Sequence, residues 1–176
     1  MEKNNIKLIE PTVELKSEFL EMVEEFNAEG KQVIDGIGSI DKDDFENSVG
    51  RAKDHSRGIG LPEGWVPAST YWLISRGRLV GTCHLRHQLN NFLKNFGGHI
   101  GYSVRPSERR KGYATKMLSL VLEKANVLGI KRVLVTCDDN NIASARVIEK
   151  NGGKLADKIK QESSKELIRR YWIDLA

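Results

Sequence analysis

Apolar residues along this chain fall into two rhythms. Short runs of β-branched and aromatic residues mark strands, and three- and four-residue spacing marks helices. Residues 6–9 (Ile6-Lys7-Leu8-Ile9) read as a first strand. Residues 12–28 follow as an amphipathic helix, with Val13, Phe19, Leu20, Val23 and Phe26 as candidate core positions. The stretch 29–68 is irregular and glycine-rich, with helical character only around 41–53. Residues 71–74 and 79–85 read as strands joined by a tight turn at Ser75-Arg76-Gly77-Arg78. A fourth strand covers 99–104 and is broken by Pro106.

Beyond that proline the helical rhythm returns. Ala114, Met117, Leu118, Val121, Leu122, Ala125 and Leu128 form one face of a helix closed by Gly129. Val133-Leu134-Val135 is a short buried strand. Asp138, Asp139, Asn140 and Asn141 are cap residues for a further helix that ends at Gly152 and Gly153. Tyr171-Trp172-Ile173-Asp174-Leu175 reads as a final strand. A length of 176 residues, 39% of them hydrophobic, fits one domain spanning 1–176.

The junction of the fourth strand and the next helix carries the chemistry. It reads Arg109-Arg110-Lys111-Gly112-Tyr113-Ala114-Thr115. The first turn of a helix presents amides with no internal acceptor, and the helix dipole adds partial positive charge there. Gly112 keeps a side chain out of the way, and three cations precede the helix. This is an anion-binding arrangement suited to a pyrophosphate. It is not a Gly-x-x-x-x-Gly-Lys-Ser/Thr loop, which the chain lacks. Gly36-Ile37-Gly38 and Gly58-Ile59-Gly60 each lack the third glycine of a dinucleotide fingerprint and read as loop glycines.

Arg109-x-x-Gly112-x-Ala114 resembles the acetyl-CoA signature of the GCN5-related N-acetyltransferases (GNAT), Gln/Arg-x-x-Gly-x-Gly/Ala. Asn141-x-x-Ser144-x-x-Val147-Ile148-Glu149-Lys150-x-Gly152 resembles the second half of the same site. The resemblance is close over 97–155 and looser elsewhere. It implies an α/β (α+β) GNAT-type fold, a mixed and mostly antiparallel central sheet of about six or seven strands flanked by about four helices. It further implies acetyl-CoA as co-substrate and no metal. Acetyl transfer would go directly to a primary amine of a small molecule or peptide in a ternary complex. By the same resemblance, Arg109 to Ala114 bind the pyrophosphate, Thr115 also belongs to the cofactor site, and backbone groups of Tyr102, Ser103 and Val104 hold the pantetheine and polarise the thioester. Asn141 and Ser144 contact the pantetheine or adenine side. Substrate choice should reside in 29–67, and many members dimerise, so a homodimer is compatible.

Amine acetylation requires deprotonating the amine, attacking a thioester and expelling a thiolate. His99 is the candidate base by type and position, although strand parity sets it one residue off the family's usual positions. Glu29 and Asp138 are weaker candidates. The family's usual acid, a tyrosine on the last helix, is Ile148 here, so Ser144 or Tyr113 would have to serve. That departure keeps open an alternative, a non-catalytic acyl-CoA-binding regulatory module.

Other residues read as structural. His84 and His87 make a poor metal pair, His55 sits in a polar loop, and Cys137 packs after a buried strand. Trp65 and Trp72 serve either packing or the acceptor pocket. Two cysteines without a Cys-x-x-Cys, no membrane-length apolar run and no leader-like start in Met1-Glu2-Lys3-Asn4-Asn5 lead us to expect a cytoplasmic protein. The net charge is +4. Residues 105–116 carry Arg105, Arg109, Arg110, Lys111 and Lys116 against Glu108 alone, a local excess of four that we assign to the anionic cofactor. Elsewhere Glu162, Glu166 and Asp174 interleave with Lys158, Lys160, Arg169 and Arg170, which argues against a nucleic-acid face. No acidic cluster in 29–68 invites a polycationic acceptor.

Overall fold

The fold is a computed structural model that describes residues 5–161 and 166–176. Residues 1–4 of the expected leaderless start, and Glu162, lie outside them. Among the described residues, seven strands and four α-helices follow one another. They are β1 (Ile6–Ile9), α1 (Lys16–Ala28), α2 (Phe45–Ser56), β2 (Ala68–Ser75), β3 (Arg78–Arg86) and β4 (Ile100–Val104). After these come α3 (Tyr113–Val127), β5 (Arg132–Asp138), α4 (Ile142–Lys150), β6 (Lys154–Lys160) and β7 (Leu167–Asp174).

The strands divide into two sheets, ordered β1-β2-β3-β4 and β5-β7-β6. Every ladder in both is antiparallel. The β2–β3 turn places Arg76 at φ 51° and Gly77 at φ 79°, the two left-handed residues that a tight hairpin of right-handed twist requires. Strand alternation splits the core. Leu73 joins Met117, Leu118 and Val121 of α3 in one cluster. Trp72 and Ile74, on the opposite face of β2, join Phe19, Met22 and Phe45 of α1 and α2 in the other. The rings of Phe19 and Trp72 stack 5.5 Å apart.

Several expectations shift. Residues 13–15 form a 3-10 turn, and Val13 is exposed, while the unpredicted Met22 is fully buried. The helical segment near 41–53 starts at Phe45 instead, because Asp43 and Asp44 are held in the preceding loop. His55 lies on α2 with Trp65 edge-on against its ring, not in a polar loop. The sixth strand, Lys154–Lys160, went unread because its residues are mostly charged and exposed.

The basic stretch is also neutralised from outside. Glu18, Glu21 and Glu25 on one face of α1 surround Arg105, which is almost wholly buried, at 3.0, 2.9 and 2.7 Å. Burial works against the guanidinium charge, but the hydrogen bonds it donates to Glu21 and Glu25 outweigh it and raise its pKa. Glu29 grips Arg109 with two hydrogen bonds of 2.9 and 2.8 Å, and Glu108 holds Lys111 at 2.8 Å. Arg105 and Arg109 are therefore taken up by glutamates on and just after α1, and Lys111 by Glu108. Arg110 and Lys116 keep no side-chain partner among the described residues. Removing Arg105 strands three carboxylates together. Arg105→Ala should lower unfolding free energy by about 3 kcal/mol, the low end for breaking a buried ion pair, in urea unfolding at pH 7. A loss under 0.5 kcal/mol would remove this cluster from the stabilising interactions.

Candidate active site

No ladder joins β4 to β5. Just before β4, the His99 N–H donates to Leu134 O at 2.7 Å and the Leu134 N–H donates to His99 Nδ1 at 2.9 Å. The imidazole thus takes the place of a backbone carbonyl. Gly98, at φ 63°, lies so close to β5 that a Cβ there would meet Leu134 O at 2.7 Å. Thr136 adds a hydrogen bond to Phe96 O at 2.8 Å. Past this closed end the strands part.

A cavity of about 690 Å³ fills the gap. It runs from Arg109, Gly112 and Ala114, along Tyr102 to Val104, to Asp35, Arg86 and Asp138 at its far end. Twelve residues were expected to bind cofactor. Eleven of them, Tyr102, Ser103, Val104, Arg109, Arg110, Gly112, Tyr113, Ala114, Thr115, Asn141 and Ser144, line this cavity. Lys111 does not, and its Nζ is turned to Glu108.

Gly112 caps α3 at φ 83°, with no side-chain cap on the helix. The first-turn amides of Tyr113, Ala114 and Thr115 therefore face the cavity without an intrahelical acceptor. A Cβ on Gly112 would meet nothing within 4 Å, so what requires glycine is the left-handed backbone and not a close contact. Arg110 is left-handed too, at φ 61°.

Strand alternation sorts the backbone of β4. Arg105 N–H bonds Val80 O and Arg86 N–H bonds His99 O, and Thr82 and His84 of β3 face Ser103 and Gly101. The odd-numbered residues thus turn their backbone groups to β3, and Tyr102 and Val104 turn theirs to the cavity. Ser103 contributes its side of the wall but not a free amide.

Across the gap, Tyr102 OH and Ser144 Oγ lie 2.8 Å apart. Burial pushes the Tyr102 phenol up to about 12, so it stays protonated. Asn141 caps α4 by accepting the Ser144 N–H at 3.1 Å. Ile148 is fully buried in the core and faces no cavity. Tyr113 OH points to Ser75 Oγ at 3.0 Å, toward β2.

The base candidates fare differently. His99 is 7% exposed and does not line the cavity. Burial, helped by Arg86, pulls its pKa down to about 4, and it is neutral at pH 7. Glu29 is engaged with Arg109. Asp138 does line the far end. Cys137 lines the wall as a buried thiol whose pKa burial raises. Trp72 is core, Trp65 is exposed, and neither reaches the cavity.

Sequence reasoning missed Asp35, Arg86, the Tyr102 hydroxyl and Phe96. Of the expected substrate segment 29–67, only Lys31, Asp35 and Gly36 reach the cavity. Gly36 carries the one legible signal, a glycine at φ 79° pressed on β3 and β4, where a Cβ would meet Gly101 O and Thr82 O at 2.7 Å. Among the described residues no His, Cys, Asp or Glu group is arranged to hold a metal, and no helix is long and apolar enough to cross a membrane.

Comparison with known proteins meets this geometry. Residues 38–154 match the family described as Acetyltransferase (GNAT) domain. This chain belongs to the GNAT acetyltransferase family. Over 65 residues it is 37% identical to an uncharacterized N-acetyltransferase, YnaD, of Bacillus subtilis (strain 168). That match spans 35% of this chain and 38% of the relative's length. The fold matches RimL, a ribosomal L7/L12 alpha-N-protein acetyltransferase solved with coenzyme A, at a TM-score of 0.71 and 18% identity, covering 97% of this chain and 94% of RimL. It also matches MccE, a microcin C7 self-immunity acetyltransferase solved with acetyl-CoA and AMP, at 0.71 and 14%, covering 98% and 94%.

The His99 geometry sets a pH dependence. Its folded pKa lies below the ordinary 6.5, as does that of His84, which burial pulls down to about 3. Between about pH 6.5 and 4 the unfolded chain therefore binds more protons, and stability falls as pH falls. His99→Asn should flatten part of that slope in chemical denaturation run from pH 7 to 4.5. An unchanged slope would mean His99 titrates alike in both states.

Proposed function

We propose that this protein transfers the acetyl group of acetyl-CoA to a primary amine, by direct attack in a ternary complex. The observation that carries this is the single cavity joining the α3 N-terminus to the opened β4–β5 seam. The pyrophosphate would sit on the amides of Tyr113 to Thr115, with Arg110 free to pair with it. Arg109 would have to exchange Glu29 for phosphate, or serve by holding the loop against α1. The pantetheine arm would run along β4, where Tyr102 and Val104 offer backbone groups, as in an added strand. The thioester then lies in the seam, where an amide donor from β4 stabilises the tetrahedral oxyanion.

The neutral amine nitrogen attacks the thioester carbon, forming the C–N bond and the tetrahedral oxyanion; the intermediate loses a proton from nitrogen to solvent and collapses as the C–S bond breaks. The departing sulfur takes a proton from Ser144 Oγ, resupplied through Tyr102 OH from solvent. This pair supplies the hydroxyl that Ile148 cannot. It favours turnover over the reading of a purely regulatory acyl-CoA-binding module. A thiolate with a pKa of about 8.5 leaves readily, so the acid contributes modestly.

The test is free-thiol release from acetyl-CoA with purified protein, alone and against pooled amines. Release that requires an amine and saturates with it is expected. Tight acetyl-CoA binding without release from any pool would favour the regulatory module. Ser144→Ala should lower kcat by roughly 10- to 100-fold, the low end of general acid catalysis, with acetyl-CoA affinity little changed. Gly112→Val should weaken acetyl-CoA binding by at least about 10-fold, since a β-branched residue resists the left-handed backbone. Equal affinity by calorimetry would remove the loop from the cofactor site.

A further inference from the structure

The far end of the cavity holds charges that neither the cofactor reading nor the fold requires. Arg86, at the end of β3, directs Nη1 at Gly97 O and Gly98 O at 3.1 and 3.2 Å. These carbonyls end the π-helical turn Leu93–Gly97 and fix the plane of the guanidinium. Its Nε and Nη2 have no acceptor, and no carboxylate lies within 4.0 Å of it, among the described residues. Neither nitrogen is sealed from solvent without a partner, and Arg86 lines the cavity. A half-buried guanidinium with open donors is an anion receptor.

Asp35 lines the same cavity. The close seat of Gly36 on β3 and β4, reinforced by the Thr82 hydroxyl on Gly36 O at 2.8 Å, holds its backbone over Gly101. Its carboxylate has no hydrogen bond or ion pair among the described residues. Asp35 is exposed to solvent where it lines the cavity, yet the protein packed around it raises its pKa by desolvation, with Lys31 and Arg86 opposing the rise and Asp138 adding to it. Asp35 and Arg86 are thus farther apart than an ion pair but within each other's field, and both line the cavity. Lys31 and Asp138, which also line this end, balance each other, so the end is bipolar with no net charge.

We propose that Asp35 and Arg86 select the acceptor, and that the acceptor carries its amine beside a carboxylate, as a free α-amino acid does. Asp35 receives the ammonium and Arg86 the carboxylate. This rests on the acetyl-transfer reading above. An α-amine also suits the site chemically, because with a pKa of roughly 7.7–8 it is partly deprotonated at neutral pH without a strong base. A polycation would find Arg86 and Lys31 repulsive, and an uncharged amine would leave the Arg86 donors unmet.

The experiment compares thiol release with L-amino acids, with the same amino acids as carboxamides, and with short amidated peptides whose first residue is Asp or Glu. Wild-type protein should prefer acid over amide by at least about 10-fold in kcat/KM, the size expected of one charged hydrogen-bonding contact. Arg86→Gln should collapse that ratio toward one, chiefly through KM, and Arg86→Lys should retain part of it. The ratio is internal to each variant, so a general loss of folded protein does not imitate the effect. Asp35→Asn should weaken acids and amides alike. Preference for the acidic peptides over free amino acids keeps the pair's role and assigns the carboxylate to a side chain. Equal use of acids and amides by wild type, or an unaltered ratio in Arg86→Gln, overturns the proposal. Should no amine be acetylated, the transfer reading fails on its own. Calorimetry of the amino acids against the coenzyme A-loaded protein then decides the pair separately, and no binding overturns it.

Discussion

The site depends on two strands that lie side by side without pairing. In a continuous sheet, the outer backbone groups of β4 would be taken by β5 and no space would exist between them. Here the contact stops at His99 and Leu134. The imidazole Nδ1 satisfies one amide of β5, and Gly98 allows the close approach that a Cβ would forbid. From that fixed point the strands diverge. The same backbone polar groups that would have made a ladder are left to line a cavity of ligand size.

The rest of the architecture keeps that opening in place. α3 packs Met117, Leu118 and Val121 under the first sheet and so aims its N-terminus at the gap. α4 closes one side, and its Asn141 cap orients Ser144 toward Tyr102. α1 works from outside, because its glutamates gather Arg105 and Arg109 and so tie the phosphate loop to the first layer of helices. Charge that looked available to a cofactor is thereby largely structural. In the proposed site, anion binding therefore falls to backbone amides, the helix dipole and Arg110.

The local signals were legible because their causes are local. A β-branched run needs no partner to declare itself a strand, and Arg109-x-x-Gly112-x-Ala114 sits within one turn. Hence β1, the β2–β3 hairpin, α3 and the phosphate loop were readable, with ends off by a few residues. β6 was not, since exposure on its sheet lets it carry charge at most positions. Arg86 and Asp35 were invisible for a different reason. One ends a strand, the other precedes a loop glycine, and neither belongs to a motif. Only the packing of Gly36 on β3 and β4 brings them to the same space.

By itself, then, the sequence determined the family signature, the helix proposed to receive the pyrophosphate and the hydrophobic faces that build the layers. Those properties follow from spacing along the chain. The tertiary structure decided which charges remain free, what His99 does and what the far end of the cavity can hold. Each of these depends on groups separated by tens of residues. Glu18 and Arg105 are 87 apart, His99 and Leu134 35 apart, and their meeting is set by layer packing, which no local pattern encodes.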